Sequence, residues 1–157
     1  MSEPSPQPQD IVEAAQRVAK RCADTMWAND SASQALGMRI DAIAPGQATI
    51  SMDVRKEMVN GHDLCHGGYI FTLADSTFAF ACNTYDVVTV AQHCEVTFLN
   101  AGRLGDRLTA RATERARKGR SGIYDVTVTR ADGTVIAEFR GLSRTLGGAI
   151  VQPKAQD

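Results

Sequence analysis

Cysteine is scarce and unpaired in its spacing: the 157 residues hold four, Cys22, Cys65, Cys82 and Cys94. No secretion signal precedes them, and Cys82 lies in an apolar run where a reduced thiol packs as a small hydrophobe. A reducing compartment, the cytoplasm, is expected. His62, Cys65, His66, His93 and Cys94 invite a metal reading, but no second Cys-x-x-Cys or His-x-x-x-His accompanies them, so no metal and no cofactor is expected. No apolar stretch reaches the ~20 residues that a membrane-spanning helix needs. Charge of one sign is lacking too. The formal net charge is −1 with basic residues spread along the chain, which removes the field that would bind nucleic acid or an acidic membrane. An anionic ligand must be met locally. Neither a phosphate-cradling Walker loop nor a dinucleotide fingerprint is present.

What remains suffices for one domain, since a chain of this length with 43% hydrophobic residues buries roughly 70% of its unfolded surface. Residues 1–10 hold three of the five prolines and read as a disordered tail. Ile11, Ala14, Ala15, Val18, Ala19, Cys22 and Met26 recur at three-and-four spacing, predicting a helix over 11–29 capped by Asp10, with Glu13 completing a capping box. The period then becomes two: Met38, Ile40 and Ala42 alternate, Pro45-Gly46 punctuates, and Ala48, Ile50, Met52 and Val54 alternate again. After Gly67-Gly68 a run from Tyr69 to Asn83 is apolar around almost its whole circumference, as a helix enclosed by protein would be. Strand-like segments follow at 87–99, 106–117, 123–130 and 134–145, the last two joined by an Asp132-Gly133 hairpin turn. A single domain over 11–148 with a C-terminal tail from 149 is expected. Its class is α+β, an antiparallel sheet curled around one long central helix.

Chemistry concentrates where the loop enters that helix. A helix starting at Gly67-Gly68 offers free N–H groups and the positive end of its dipole, which suit a developing oxyanion. Asp75 is the one ionisable carboxylate between Tyr69 and Cys82, on a stripe with Thr72, Ser76 and Ala79. A buried carboxylate needs partners or a task. It either bonds Thr72, Ser76 or a neighbouring strand, or it reacts.

The stretch Asn60-Gly61-His62-Asp63-Leu64-Cys65-His66-Gly67-Gly68 resembles the phenylacetate-degradation (PaaI-type) branch of the hotdog thioesterases. Leu73-Ala74-Asp75, Ala81-Cys82-Asn83, Val96-Thr97-Phe98-Leu99, Gly119-Arg120-Ser121-Gly122 and Phe139-Arg140-Gly141 extend the likeness over about residues 35–148. The resemblance implies a hotdog fold with an extra N-terminal helix, and hydrolysis of aryl-acetyl-CoA, phenylacetyl-CoA or its hydroxylated forms, to free acid and CoA. It implies that Asp75 is nucleophile or general base and that the Gly67 N–H stabilises the oxyanion. Asn60 would position water or the carboxylate, and His66 would contact the substrate carbonyl or hold the loop. Gly68, Gly119, Arg120 and Ser121 would meet the substrate, the basic turn from Arg115 lying near CoA phosphates. Ala91 stands where some relatives carry a hydroxyl near the site, with His93 adjacent.

Distance bears on assembly. Eight residues at about 1.5 Å each put Gly67 and Asp75 roughly 12 Å apart along one helix, too far to touch one thioester carbon. Two helices packed antiparallel would bring Asp75 of each against Gly67 of the other. A homodimer is therefore expected, and by resemblance a tetramer. Medium-chain acyl-CoA is the alternative substrate. A hotdog dehydratase would carry a histidine on the helix, which this chain lacks, and a non-catalytic acyl-CoA sensor would gain nothing from Asp75. Phe71, Phe78, Phe80, Tyr69 and Tyr85 could line an acyl pocket or be core.

Overall fold

The computed structural model describes residues 6–151. Helix α1 (Pro8–Asn29) is followed by the short helix α2 (Ser31–Ala35) and the strands β1 (Arg39–Ala44) and β2 (Gln47–Asp53). A 3-10 turn over Lys56–Met58 leads to helix α3 (Gly67–Cys82). Then come β3 (Thr89–Phe98), β4 (Arg107–Lys118), β5 (Ser121–Arg130) and β6 (Val135–Thr145). The six strands form one antiparallel sheet in the order β1-β2-β4-β5-β6-β3, and α3 lies across it against every strand. The α+β architecture expected from periodicity is the one found. α2 and the 3-10 turn were not legible, being too short to show a period.

The core is the space between α3 and the inward faces of the strands. Ile50 and Met52 on β2, Leu108 and Ala110 on β4, and Val126 and Val128 on β5 are fully buried there. Small side chains let the helix approach: Ala48 pairs with Ala112 and Ile50 with Ala110 across β2 and β4. Phe78 anchors α3, its ring centroid 5.6 Å from Tyr124 and 5.9 Å from Phe139. Such pairs are worth about 0.5–1.5 kcal/mol beyond area burial. Gly141 makes the contact possible, because a Cβ there would lie 2.8 Å from the Phe78 ring.

Both ends of the chain depart from expectation. α1 begins at Pro8 rather than Ile11, and Gln7, not Asp10, is its cap. Asp10 instead closes the capping box from inside the helix, its Oδ2 accepting from the Gln7 N–H at 3.0 Å, so Glu13 has no part in it. Pro8 fits the first helical position, where its fixed φ is suitable and an N–H is not needed. The tail expected over 1–10 thus stops short of Pro8, and residues 1–5 lie outside the described residues. The tail expected from 149 begins docked. Asp86 Oδ1 accepts from the Ile150 and Val151 N–H groups at 2.9 Å each, and Val88 donates to the Gly148 carbonyl at 3.0 Å. Residues 152–157 lie outside the described residues.

One irregularity decides what faces α3 from β3. The β3–β6 register shifts between Ala91 and His93, leaving Gln92 as an extra residue. Beyond that bulge Cys94, Val96 and Phe98 pair with Gly141, Phe139 and Ala137, all buried on the inner face. Cys94 and Phe98 therefore look toward α3, while His93 and Glu95 are turned outward and exposed. Without the extra residue the alternation would point His93 and Glu95 at the helix. β3 ends the sheet, with one edge unpaired among the described residues.

Candidate active site

The loop before α3 is held at several points. Asn60 Oδ1 accepts from the His62 and Leu64 N–H groups at 2.9 and 3.3 Å, Cys65 donates to the Gly102 carbonyl and His66 to that of Met58, each at 2.8 Å. This sets His66 as the N-cap of α3, its ring Nδ1 accepting from the Gly68 N–H at 3.0 Å. Tyr69 donates to the His66 carbonyl. Of the first three N–H groups, only that of Gly67 has no acceptor among the described residues. His66 thus shapes the helix start through its ring. The Gly68 N–H is engaged by that ring, which leaves its exposed Cα side to any substrate contact.

Gly67 opens on a pocket of about 350 Å³ that it shares with Asn60, Leu64, Ile70, Phe98 and Leu99. The Phe98 ring lies against it: a Cβ on Gly67 would meet Phe98 Cζ at 3.0 Å. Phe98 is 50% and Leu99 55% exposed, an apolar wall beside an unsatisfied donor. With its carbonyl oxygen used twice by the loop, Asn60 keeps its Nδ2 group to donate.

Asp75 sits two turns further along α3, half-buried. Its Oδ1 accepts from the Cys94 thiol at 3.6 Å. Burial pushes its carboxyl above the ordinary value, and the thiol bond partly opposes that. Neighbouring hydroxyls are committed elsewhere: Thr72 donates to the Gly68 carbonyl, Thr77 to that of Leu73, and Ser76 pairs with Ser33 of α2 at 3.0 Å. The strand partner, not the helix hydroxyls, therefore meets Asp75. Gly67 and Asp75 touch the same edge strand, one at Phe98 and the other at Cys94. Four strand residues at about 3.3 Å span roughly 13 Å, matching eight helical residues at about 1.5 Å, so α3 runs antiparallel to β3 beneath it. Within one protomer the two groups stay apart.

The basic hairpin lies past the other end of α3. Gly119 takes a φ of +58° in the turn, and Arg120 Nε donates to the Thr145 carbonyl at 3.0 Å. Ser121 and Arg120 border a cavity of about 170 Å³ with Cys82, Tyr124 and Ser143. Its frame is Glu114, which accepts from Tyr124 and Tyr85 at 2.7 and 3.0 Å, while the Arg117 guanidinium stacks 3.7 Å over the Tyr85 ring. Of the aromatic residues considered for an acyl pocket, Phe78 and Phe80 are core, Phe71 packs edge-on against Phe139 and Tyr85 belongs to this frame. In the sequence Cys94 reads only as a candidate metal ligand and Phe98 only as part of a matching motif, because their facing toward α3 depends on the bulge at Gln92. Among the described residues no group of three or more His, Cys, Asp or Glu could hold a metal ion. None of their helices is long and apolar enough to cross a membrane.

A carboxylate able to attack or to deprotonate water, and a helix-start N–H able to hold an oxyanion, are what thioester cleavage requires. On a sheet curled around one central helix, they define a hotdog-fold thioester hydrolase. The chain belongs to the thioesterase superfamily, which matches residues 62–137. The acyl-coenzyme A thioesterase PaaI of Escherichia coli (strain K12) is 41% identical over 128 residues, 82% of this chain and 91% of that protein. The structure of the E. coli PaaI protein from the phenylacetic acid degradation operon matches with a TM-score of 0.85 at 39% identity. It covers 86% of this chain and 98% of that one. A variant of the phenylacetic acid degradation protein PaaI from Thermus thermophilus matches with a TM-score of 0.70 at 35% identity, over 73% and 97% of the two chains.

Proposed function

We propose that this enzyme hydrolyses aryl-acetyl-CoA thioesters in the cytoplasm, at sites built by two protomers. The observation that carries the reading is the pairing of a free Gly67 N–H in an apolar pocket with a half-buried Asp75 beneath the same edge strand, whose outer edge is free among the described residues. Two β3 strands joined antiparallel at their free edges would bring the α3 helices side by side. Gly68, Thr72 and Ala79 leave the open stripe of α3 small enough for close contact. A twofold axis near Phe71 then sets Asp75 of each protomer against Gly67 of the other.

In this arrangement the thioester carbonyl accepts from the Gly67 N–H, which stabilises the tetrahedral oxyanion by about 3 kcal/mol if typical of such donors. Asp75 either adds to the carbonyl carbon itself or takes a proton from a water that adds there. The C–S bond breaks and CoA leaves as the thiolate. By the first route a water then hydrolyses the acyl–Asp75 anhydride, by the second the acid forms directly, and in both one proton of that water ends on the thiolate as the acid is released. Asn60 Nδ2 orients the water or the carboxylate. Phe98 and Leu99 give the acyl group an apolar wall, and similarity to the PaaI proteins of phenylacetic acid degradation is the ground for preferring an arylacetyl group. The Gly119–Ser121 hairpin receives the CoA arm, with Arg120 and Arg117 near its phosphates. Two dimers join into a tetramer through the outer sheet face, where Glu95, Asp125 and Glu138 alternate with Arg111, Arg115 and Arg140 and so meet a second copy without net repulsion.

The test follows free thiol release from phenylacetyl-, benzoyl-, short- and medium-chain acyl-CoA by wild type and Asp75→Asn. Turnover of the arylacetyl ester, with at least a hundredfold loss in the folded variant, is expected. Binding of CoA esters without hydrolysis would end the catalytic reading.

A further inference from the structure

Asp75 has no basic neighbour among the described residues to aim its carboxylate. An ionised Asp75 has two oxygens and free rotation about its last bond, yet only one oxygen can face the reacting carbon or its water. Among the described residues the one group that donates to it is the Cys94 thiol, 3.6 Å from Oδ1. Every hydroxyl near it on α3 is committed to a carbonyl or to Ser33. The bulge at Gln92 is what puts a thiol there, by shifting the phase of β3 so that Cys94 and not His93 or Glu95 looks at the helix. Bulges of this kind re-aim side chains beside active sites.

Resting on the assignment of Asp75 as the reacting carboxylate, we infer that Cys94 is its positioning residue: the thiol holds Oδ1 and leaves Oδ2 to react. The chemistry of the alternatives favours a thiol. A lysine or arginine would fix the carboxylate as firmly but would drain its nucleophilicity and basicity by full charge pairing. A neutral S–H orients it while withdrawing little charge. Burial and the neighbouring Asp75 push the Cys94 thiol up to about 11, so at neutral pH it stays a donor and does not compete as a thiolate. The titratable groups that sense Asp75 are Cys94 from β3 and Cys82 from its own helix, the latter pushed up to about 12 and neutral as well. α2 brings only the uncharged Ser33, to Ser76.

The experiment compares kcat, KM and the pH profile of kcat for phenylacetyl-CoA in wild type, Cys94→Ala and Cys94→Ser, with Asp75→Asn as reference. Cys94→Ala is expected to lose about tenfold in kcat with KM within about twofold, the size of one hydrogen bond to a charged group. Because the thiol bond lowers the Asp75 pKa, its loss moves the acid limb to higher pH. Cys94→Ser, which keeps a donor, is expected to restore kcat and return the limb to or below its wild-type position. Wild-type kcat and an unmoved limb in Cys94→Ala overturn the inference, as does equal damage in both variants without movement of the limb. Should Cys94→Ala fail to fold, infrared S–H bands decide. The band absent from Cys94→Ser must move when Asp75 becomes Asn, and an unmoved band refutes the contact. If Asp75→Asn itself remains active, the assignment of Asp75 fails whatever Cys94 does.

Discussion

Replacing Gly67 with alanine separates folding from chemistry at the oxyanion position. The added Cβ would lie 3.0 Å from Phe98 Cζ, 3.3 Å from Cε2 and 3.4 Å from Cε1. Those distances require the ring to retreat by a few tenths of an ångström, and a ring that is 50% exposed can do so. Alanine also gains up to about 1 kcal/mol of helix propensity over glycine, less at a first helical position than in the interior. The two effects offset, so thermal unfolding of Gly67→Ala should lie within about 1 kcal/mol of wild type. Activity should not be spared, because the methyl group stands in the pocket beside the N–H that the carbonyl must reach. A loss of about tenfold or more in kcat/KM is expected, bounded by the roughly 10²–10³ that removal of an oxyanion donor costs, since the N–H itself remains. Adding Phe98→Ala to Gly67→Ala should recover part of the loss by giving back space. Unimpaired turnover by a folded Gly67→Ala would refute the placement of the carbonyl at Gly67.

Asp75→Asn should melt no lower than wild type at pH 7 despite losing activity. Burial raises the folded-state pKa of Asp75, so the ionised carboxylate destabilises the fold at neutral pH, and the penalty fades as pH falls through the folded pKa toward the unfolded 3.8. Calorimetry at pH 7 and at about pH 4 checks this, and a lower melting point for the variant at pH 7 would contradict it. Arg120→Ala should raise KM for CoA esters several-fold with kcat little changed, and the effect should shrink with added salt. Asp53 bridges Arg107 and Arg39 at 2.8 Å each, which hold its carboxyl down at about 2. All three side chains are half-exposed, so Asp53→Asn should cost no more than about 1 kcal/mol. That stability is present above 3.8 and lost as pH falls toward about 2, which acid titration of unfolding would show.

Long segments were legible in the sequence because each carries an extended apolar pattern. Six strands lie where alternation or strand-like composition set them, α1 follows its three-and-four spacing but starts at Pro8, α3 follows its all-round apolarity, and the Asp132-Gly133 turn joins β5 to β6. Gly67 and Asp75 stood out for simple reasons, a glycine pair at a helix start and a lone carboxylate in an apolar helix. Other features depend on long-range contacts that no local pattern reveals. Pro8 reads equally as tail or helix start, and Gln7 decides it only through its reciprocal bond to Asp10. Strict alternation along β3 would have turned His93 and Glu95 inward, and the shift that places Cys94 and Phe98 there comes from pairing with β6. Docking of Ile150 and Val151 on Asp86 spans more than sixty residues and leaves no mark in composition.

If each site is shared between protomers, two inactive variants should restore activity to one another when mixed. Asp75→Asn and a blocked Gly67→Val are unfolded together in equal amounts, refolded, and assayed for thiol release from phenylacetyl-CoA. Random pairing makes half the dimers mixed, and each mixed dimer carries one site with both lesions and one with neither. Recovery of about a quarter of wild-type activity is therefore expected. No recovery from a mixture shown to contain mixed dimers would mean that Asp75 and Gly67 of different protomers do not act together.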